Sequence, residues 1–285
     1  MGCSRKGGKS MNPILSAALI VAAIGLFCAV MLVLASKFFA VKEDETYIKI
    51  RECLPGANCG ACGYAGCDGY AKALANDKNI KTNLCIPGAD ATASQIAAIL
   101  GVEAEDVVEQ VAVIHCYGDC NHTSNKMDYV GIRSCEAATL LYGGDGKCVY
   151  GCIGLGDCVK VCPESAICIE NGIAHVDTRK CIGCGICTRA CPRGLIAVMN
   201  DVDKVLVTCN NTEKGASVRG KCTNGCIGCK KCEKNCAVGA IKVENNLAII
   251  DYSLCTNCGE CAKNCPVGCI LVSDFQGLHR YIEKD

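Results

Sequence analysis

Thirty of the 285 residues are cysteine, and the spacing of those thiols is the first chemistry the chain offers. Residues 226–236 read Cys226-x2-Cys229-x2-Cys232-x3-Cys236, and from residue 255 the run returns as Cys255-x2-Cys258-x2-Cys261-x3-Cys265-Pro266. Such short gaps let one tight turn aim several thiolates at a single centre. Thiolates are soft ligands, so these turns suit iron–sulfur clusters or zinc rather than hard cations that take oxygen. Nearer the N-terminus, "LPGANCGACGYAGCDGYAKAL" sets Cys59-x2-Cys62-x4-Cys67, with Cys85 further on. Gly56, Gly60, Gly63 and Gly66 permit positive φ and a close approach of backbone to a cofactor. Four thiolates with no histidine suit a [4Fe–4S] cube, with a structural zinc ion as the alternative.

The long runs are duplicated. Sliding the chain along itself lays 135–199 on 209–273 without a gap. Cys135, Cys148, Cys152, Cys158, Cys162, Cys181, Cys184, Cys187 and Cys191 then fall on Cys209, Cys222, Cys226, Cys232, Cys236, Cys255, Cys258, Cys261 and Cys265. Lys147, Gly151, Ile153, Gly154, Asp177, Gly185 and Pro192 match their partners as well. The second copy carries the bacterial two-cluster ferredoxin pattern, in which the fourth cysteine of each run ligates the other cube. One cube is therefore assigned to Cys226, Cys229, Cys232 and Cys265, and its neighbour to Cys236, Cys255, Cys258 and Cys261.

The first copy departs at Leu155, which stands where the second copy has Cys229. Cys148, shortly before Cys152, is the expected replacement, giving Cys148, Cys152, Cys158 and Cys191. Cys168 is the rival. The partner cube takes Cys162, Cys181, Cys184 and Cys187. Cys116, Cys120, Cys135, Cys209 and Cys222 are left over; Cys116-x3-Cys120 and Cys135 are candidates for three ligands of a further cube, with Cys209 or Cys222 as the fourth stitching the copies together, and free buried thiols are the alternative. His115 and His122 flank this segment, with surface histidines the simpler reading. Cys53 is expected to be unligated. The count is at least five [4Fe–4S] clusters and a candidate sixth.

These loops need elements to hold them. Tryptophan is absent, and the units are too small for apolar burial alone to stabilise. "AIKVENNLAIID" is β-branched on both sides of Asn245-Asn246, a hairpin pattern, and "AICIENGIAHVD" repeats it around Asn171-Gly172. A short helix is expected after each C-x3-C. The 29 basic and 29 acidic residues cancel, so nothing points to a nucleic-acid partner.

The stretch from Ile14 to Ala35 carries no charge and is long enough to span a bilayer. A signal peptide is the competing reading, but the run is too long and lacks a small-residue cleavage site. The leading "MGCSRK" has Lys6 where a myristoylation motif wants Ser or Thr, and Met11 is an alternative start. Arg5, Lys6 and Lys9 precede the helix while Lys37 and Lys42 follow it, which by count puts the N-terminus in the cytosol. So many thiols in an oxidising space would form disulfides, which argues for a cytoplasmic domain.

The expected class is α+β: an N-terminal transmembrane helix, a small four-cysteine iron–sulfur domain, and two tandem two-cluster ferredoxin-like units. Residues 1–40 form the anchor, with its helix over 14–35. Residues 41–90 form the four-cysteine domain, 91–134 a helical linker with the extra cysteines, and 135–205 and 206–285 the two repeats.

The anchor, the "LPGANCGACGYAGC" block, Cys85 in "CIPGAD" and the ferredoxin motifs together resemble the B subunit of the Rnf complex, in its longer, anaerobe-type form. The duplicated unit departs from the shorter members. The resemblance implies a single-pass protein of the cell (inner) membrane, within a translocase that passes electrons from reduced ferredoxin to NAD⁺ and exports Na⁺ or H⁺. Its implied partners are the other membrane and peripheral subunits, soluble reduced ferredoxin and membrane lipid. No Gly-rich dinucleotide fingerprint follows a strand, so NAD(H) is expected to bind elsewhere. Acidic ferredoxins favour a basic dock, and Lys221, Lys230, Lys231 and Lys234 crowd the second copy. A polyferredoxin of another membrane oxidoreductase, such as a hydrogenase, is the rival reading, and a secreted disulfide protein a weaker one.

Overall fold

The structure, a computed structural model, describes residues 13–38, 45–77 and 79–277. Arg5, Lys6, Lys9, Met11 and Lys42, on which the orientation, acylation and start-site readings rest, lie outside the described residues. The chain divides into two compact units, residues 1–45 and 46–285.

In the first unit, helix α1 (Pro13–Phe38) encloses the expected apolar run. Its stretch Ala17–Lys37 has the length and composition to cross a membrane. A helix suits that setting because it satisfies its own backbone polar groups.

The second unit opens on three helices, α2 (Glu45–Cys53), α3 (Gly66–Asn76) and α4 (Ala89–Leu100). Cys67, Tyr70, Ala71 and Leu74 fall at i, i+3, i+4 and i+7 of α3, and Ala93, Ile96, Ala97 and Leu100 repeat that stripe on α4. Cys67, Tyr70, Ala71, Leu74, Ile96 and Leu100 close a small core with Ile50 and Leu54. Each fully buried leucine or isoleucine contributes about 1.5–3 kcal/mol. Gly101 ends α4 in the left-handed conformation, and Arg51 ties α2 to α3 through Asp68 at 2.5 Å.

Beyond it come strand β1 (Gln110–Ile114), helix α5 (Cys135–Thr139), and a run of α6 (Asp157–Lys160), β2 (Ile167–Glu170), β3 (Ile173–Val176), α7 (Ile186–Ala190) and β4 (Ile196–Asn200). Then follow β5 (Val205–Val207), α8 (Gly215–Arg219), α9 (Lys231–Asn235), β6 (Ile241–Glu244), β7 (Leu247–Ile250), α10 (Glu260–Lys263) and β8 (Ile270–Val272). Elements α9, β6, β7, α10 and β8 begin at the positions of the second copy that match the starts of α6, β2, β3, α7 and β4 in the first. The β2–β3 and β6–β7 hairpins pair antiparallel in the same register. Their turns hold Asn171 and Gly172 at φ 48° and 81°, and Asn245 and Asn246 at 47° and 64°. That is the tight turn with positive φ whose twist matches the strands.

Two glycines at equivalent places need to be glycine. Gly154 and Gly228 both have positive φ, and a Cβ on either would press on the hairpin tip, at the carbonyl oxygens of Gly172 and Asn246. The first ligand loop of each copy therefore lies directly on its own hairpin.

The segment expected to be a helical linker is helical only in α4. It then supplies β1, which pairs antiparallel with β4 as β5 pairs with β8. A boundary at residue 135 therefore cuts through a sheet. Val111, Val113, Met199, Leu206 and Phe275 form one buried cluster between these two sheets and join the copies.

Candidate metal centres

All the described cysteines are free thiols. Among the described residues no three histidine, cysteine or carboxylate side chains converge as they would on one ion. The thiols instead face one another in groups, four of which line cavities or recesses.

Cys59, Cys62, Cys67 and Cys85 come together at the start of α3. Asn58 accepts the Cys67 N–H at 2.9 Å and so pins the glycine loop to the helix. Burial, then the neighbouring thiols of Cys67, Cys62 and Cys59, push Cys85 up to about 11. Such mutual repulsion falls away when thiolates bind a cationic cluster. Cys53 stands aside and donates to the Lys49 carbonyl at 3.2 Å.

In the first repeat the structure groups a different cysteine from Cys148 with the motif thiols. Cys135, Cys152, Cys158 and Cys191 line one pocket. Burial, then Cys152, Cys135 and Cys191, push the Cys158 thiol up to about 12. Cys148 is not in this group. The reason lies in α5: its cap Ser134 donates to Asp157 at 2.8 Å, and the Glu136 N–H reaches the same carboxylate at 3.1 Å. Asp157 thus docks α5 on α6 and delivers Cys135, the first residue of α5, to Cys158. Cys168 points along its strand to Glu170, at 3.5 Å, and is no replacement.

Cys162, Cys181, Cys184 and Cys187 line the adjacent recess. Ala166 N–H donates to Cys162 Sγ at 3.3 Å and Ala112 N–H, from β1, to Cys181 Sγ at 3.4 Å. N–H groups aimed at sulfur stabilise thiolates and tune cluster potentials. The Cys59 thiol lies within electrostatic reach of Cys184, and Arg189 donates to the Cys59 carbonyl at 2.9 Å. The four-cysteine domain is thus clamped beside this recess.

In the second repeat Cys226, Cys229, Cys232 and Cys265 share a recess with Cys269. Cys269 is a residue the motif reading missed. It is 1% exposed, its Sγ lies 3.7 Å from Cys265 Sγ, and its counterpart in the first copy is Leu195. The Cys265-x3-Cys269 spacing was the available signal. Hydrogen bonding with the Cys269 thiol draws Cys265 and Cys226 down, while Cys269 itself is held protonated. In the other half Cys236 packs against the buried cluster that holds Cys261, where burial and then Cys255 push Cys261 up to about 11. Burial raises Cys236, but the N–H groups of Ile241, Ala240, Val238 and Gly239 outweigh it. Cys229 and Cys258 are exposed, so both groups reach the surface.

The leftover cysteines scatter differently from expectation. Cys135 lines the first repeat's pocket, and Cys120, although exposed, lines the cavity between the copies. Cys116, Cys209 and Cys222 face Cys148 across that cavity, of about 420 Å³. His115 is taken up by the Val207 carbonyl at 2.7 Å and His122 by Asp119 at 2.6 Å. Of the docking lysines, Lys221 pairs with Glu213 at 2.5 Å. Lys230, Lys231 and Lys234 are exposed around α9, next to exposed Cys229, with Glu233 only 3.9 Å from Lys230.

Quartets of thiols set around voids, with backbone N–H groups turned onto the sulfurs, define an iron–sulfur protein. Three families match segments of the chain: "Putative Fe-S cluster" over residues 54–87, "4Fe-4S binding domain" over 173–196 and "4Fe-4S dicluster domain" over 225–269. The B subunit of the proton-translocating ferredoxin:NAD(+) oxidoreductase complex of Clostridium ljungdahlii is 44% identical, covering 86% of this chain and 87% of that protein. The B subunit of the Na(+)-translocating complex of Acetobacterium woodii is 41% identical, over 86% and 74%. That of the ion-translocating oxidoreductase complex of Methanosarcina acetivorans is 39% identical, over 72% and 78%. The chain belongs to this family of Rnf-type complex B subunits.

Proposed function

We propose that this chain is the membrane-anchored iron–sulfur electron-transfer subunit of an ion-translocating ferredoxin:NAD⁺ oxidoreductase complex, receiving electrons from reduced ferredoxin. The observation that carries this reading is the series of thiol quartets in a chain of the B-subunit family. Five quartets would hold [4Fe–4S] cubes: Cys59, Cys62, Cys67 and Cys85; Cys135, Cys152, Cys158 and Cys191; Cys162, Cys181, Cys184 and Cys187; Cys226, Cys229, Cys232 and Cys265; and Cys236, Cys255, Cys258 and Cys261. When bound, such cubes supply one-electron chemistry with no acid or base needed. The chain's own part is to hold the thiols, turn N–H groups onto them and exclude water. On this reading the two copies are tandem two-cluster ferredoxin units, and Cys269 is a thiol donor beside the second copy's first quartet. Anaerobically purified chain is expected to carry iron and acid-labile sulfide in equal amounts, about 20 of each or more; their lack would end the reading.

The entry point for ferredoxin is the second repeat, where Lys230, Lys231 and Lys234 surround exposed Cys229. The Lys230–Glu233 contact is solvent-exposed and leaves the lysines available to a partner. Reversing Lys230 and Lys231 to Glu is expected to slow oxidation of reduced ferredoxin about tenfold at low ionic strength, with the difference fading as salt rises. Equal rates of variant and parent at low salt would remove the lysines from the interface.

The anchor lies in the cell membrane, and the large unit faces the cytoplasm, where thiols stay reduced. A reporter fused after Asp285 is expected to read as cytoplasmic. An extracytoplasmic signal would reverse both the orientation and the choice of electron donor.

A further inference from the structure

Cys116, Cys148, Cys209 and Cys222 belong to none of the five quartets. Two come from each side of the joint between the copies: Cys116 and Cys148 from the segment after β1 and the first repeat, Cys209 and Cys222 from the second. They face the same cavity of about 420 Å³, which Cys152 of the first repeat's quartet and the exposed Cys120 also line, and the thiols of Cys209 and Cys222 both lie within electrostatic reach of Cys148. Glycines keep the cradle open. A Cβ on Gly118 would stand 2.9 Å from Cys222 Sγ and 4.0 Å from Cys116 Sγ, and one on Gly151 would stand 3.5 Å and 3.6 Å from the sulfurs of Cys116 and Cys148. Polar groups already point at these sulfurs. Asn211 N–H donates to Cys209 Sγ at 3.5 Å, and the Asn211 side-chain amide lies 3.6 Å from Cys148 Sγ.

We infer that Cys116, Cys148, Cys209 and Cys222 form a sixth four-thiolate site for a [4Fe–4S] cube, which bridges the two repeats. The inference rests on the iron–sulfur reading above. The site is wired by backbone on both sides. Cys116 Sγ accepts the N–H of Cys152 at 3.2 Å, and Cys209 Sγ accepts the N–H of Cys226 at 3.3 Å. Cys152 and Cys226 are equivalent residues of the two copies, each in the first quartet of its own repeat. The site therefore touches one quartet of each repeat through a single hydrogen bond. With the clamp of Arg189 on the Cys59 loop, all six groups of thiols form one unbroken series from the four-cysteine domain to the distal repeat. The duplication accounts for the site's form: Cys148 and Cys222 are counterparts, turned toward one another across the joint, while Cys116 takes the place that Cys135 left by moving to α6.

The test is a count made on the full-length chain loaded anaerobically. Native mass spectrometry of the unmutated protein should find six cubes. Five would overturn the inference and leave the functional reading intact, whereas no iron or sulfide at all would overturn the reading on which it rests. Cys148→Ala and Cys222→Ala should each remove about four iron atoms, and the double variant should lose the same four rather than about eight, because both thiols serve one cube. An additive loss would place the two cysteines in different sites and sink the idea, as would full iron in either single variant. Should these variants fail to retain any cluster, the count on the unmutated chain decides alone.

Discussion

Cys135→Ala is expected to strip about four iron atoms from the chain, the content of one cube, whereas Cys168→Ala leaves the iron unchanged. The effect is large because Cys135 is the fourth thiol of a pocket whose other three are Cys152, Cys158 and Cys191. Neither rival cysteine takes its place: Cys148 faces the cavity between the copies, and Cys168 lies along β2. Asp157 should matter through position alone. Asp157→Asn keeps the shape but weakens acceptance of the Ser134 hydroxyl and Glu136 N–H, so it should lower iron occupancy partly rather than abolish it. The double variant Cys135→Ala with Leu155→Cys copies the second repeat's arrangement and is expected to recover the lost cube. Iron analysis with EPR spin counts after dithionite reduction reads all of these. Full iron in Cys135→Ala would return the fourth ligand to another cysteine.

Replacing Arg193 by Met is expected to lower the reduction potential of the first repeat's sites by an amount on the order of tens of millivolts, as Coulomb's law gives for one charge in a partly wet interior. The sign follows from the charge. Burial lowers the guanidinium's affinity for its proton, but the thiols of Cys148, Cys152 and Cys116 counter that, and the group stays cationic. A cation beside a site that gains an electron favours the reduced form, so its removal favours the oxidised one. Arg193 also holds the surrounding loops, donating to the carbonyl of Cys148 at 3.2 Å and to those of Gly151 and Gly143. Its Nε is buried with no hydrogen-bond partner among the described residues. Arg193→Lys should preserve more of the potential than Arg193→Met while losing the forked hold on the loops. Unchanged potentials in Arg193→Met at full iron content would confine the residue to a structural role. The second copy has Val267 at this position, so the two repeats are expected to differ in potential.

Much of this protein is legible from spacing because a cluster loop is a local object. Short gaps between cysteines, a glycine at positive φ and an Asn-Gly or Asn-Asn turn fix geometry over a few bonds. The hairpins at Asn171-Gly172 and Asn245-Asn246 and the constant offset between the copies could therefore be read before any fold was seen, and so could the cysteine runs. The apolar run over residues 14–35 was equally plain, since length and lack of charge are the whole requirement for a spanning helix. What the tertiary structure decided lies between segments. Cys148 is close to Cys152 in sequence, yet Cys135 reaches the pocket, because the Asp157 contact docks α5 on α6. Cys269 lies outside the repeated cysteine pattern, because its counterpart in the first copy is Leu195. Strand β1 is short and could be assigned to a sheet only once β4 was there to pair with it. Local spacing determines which thiols can turn toward a common centre. Long-range packing, through one carboxylate at Asp157 and one apolar seam between two sheets, determines which distant thiol completes the set.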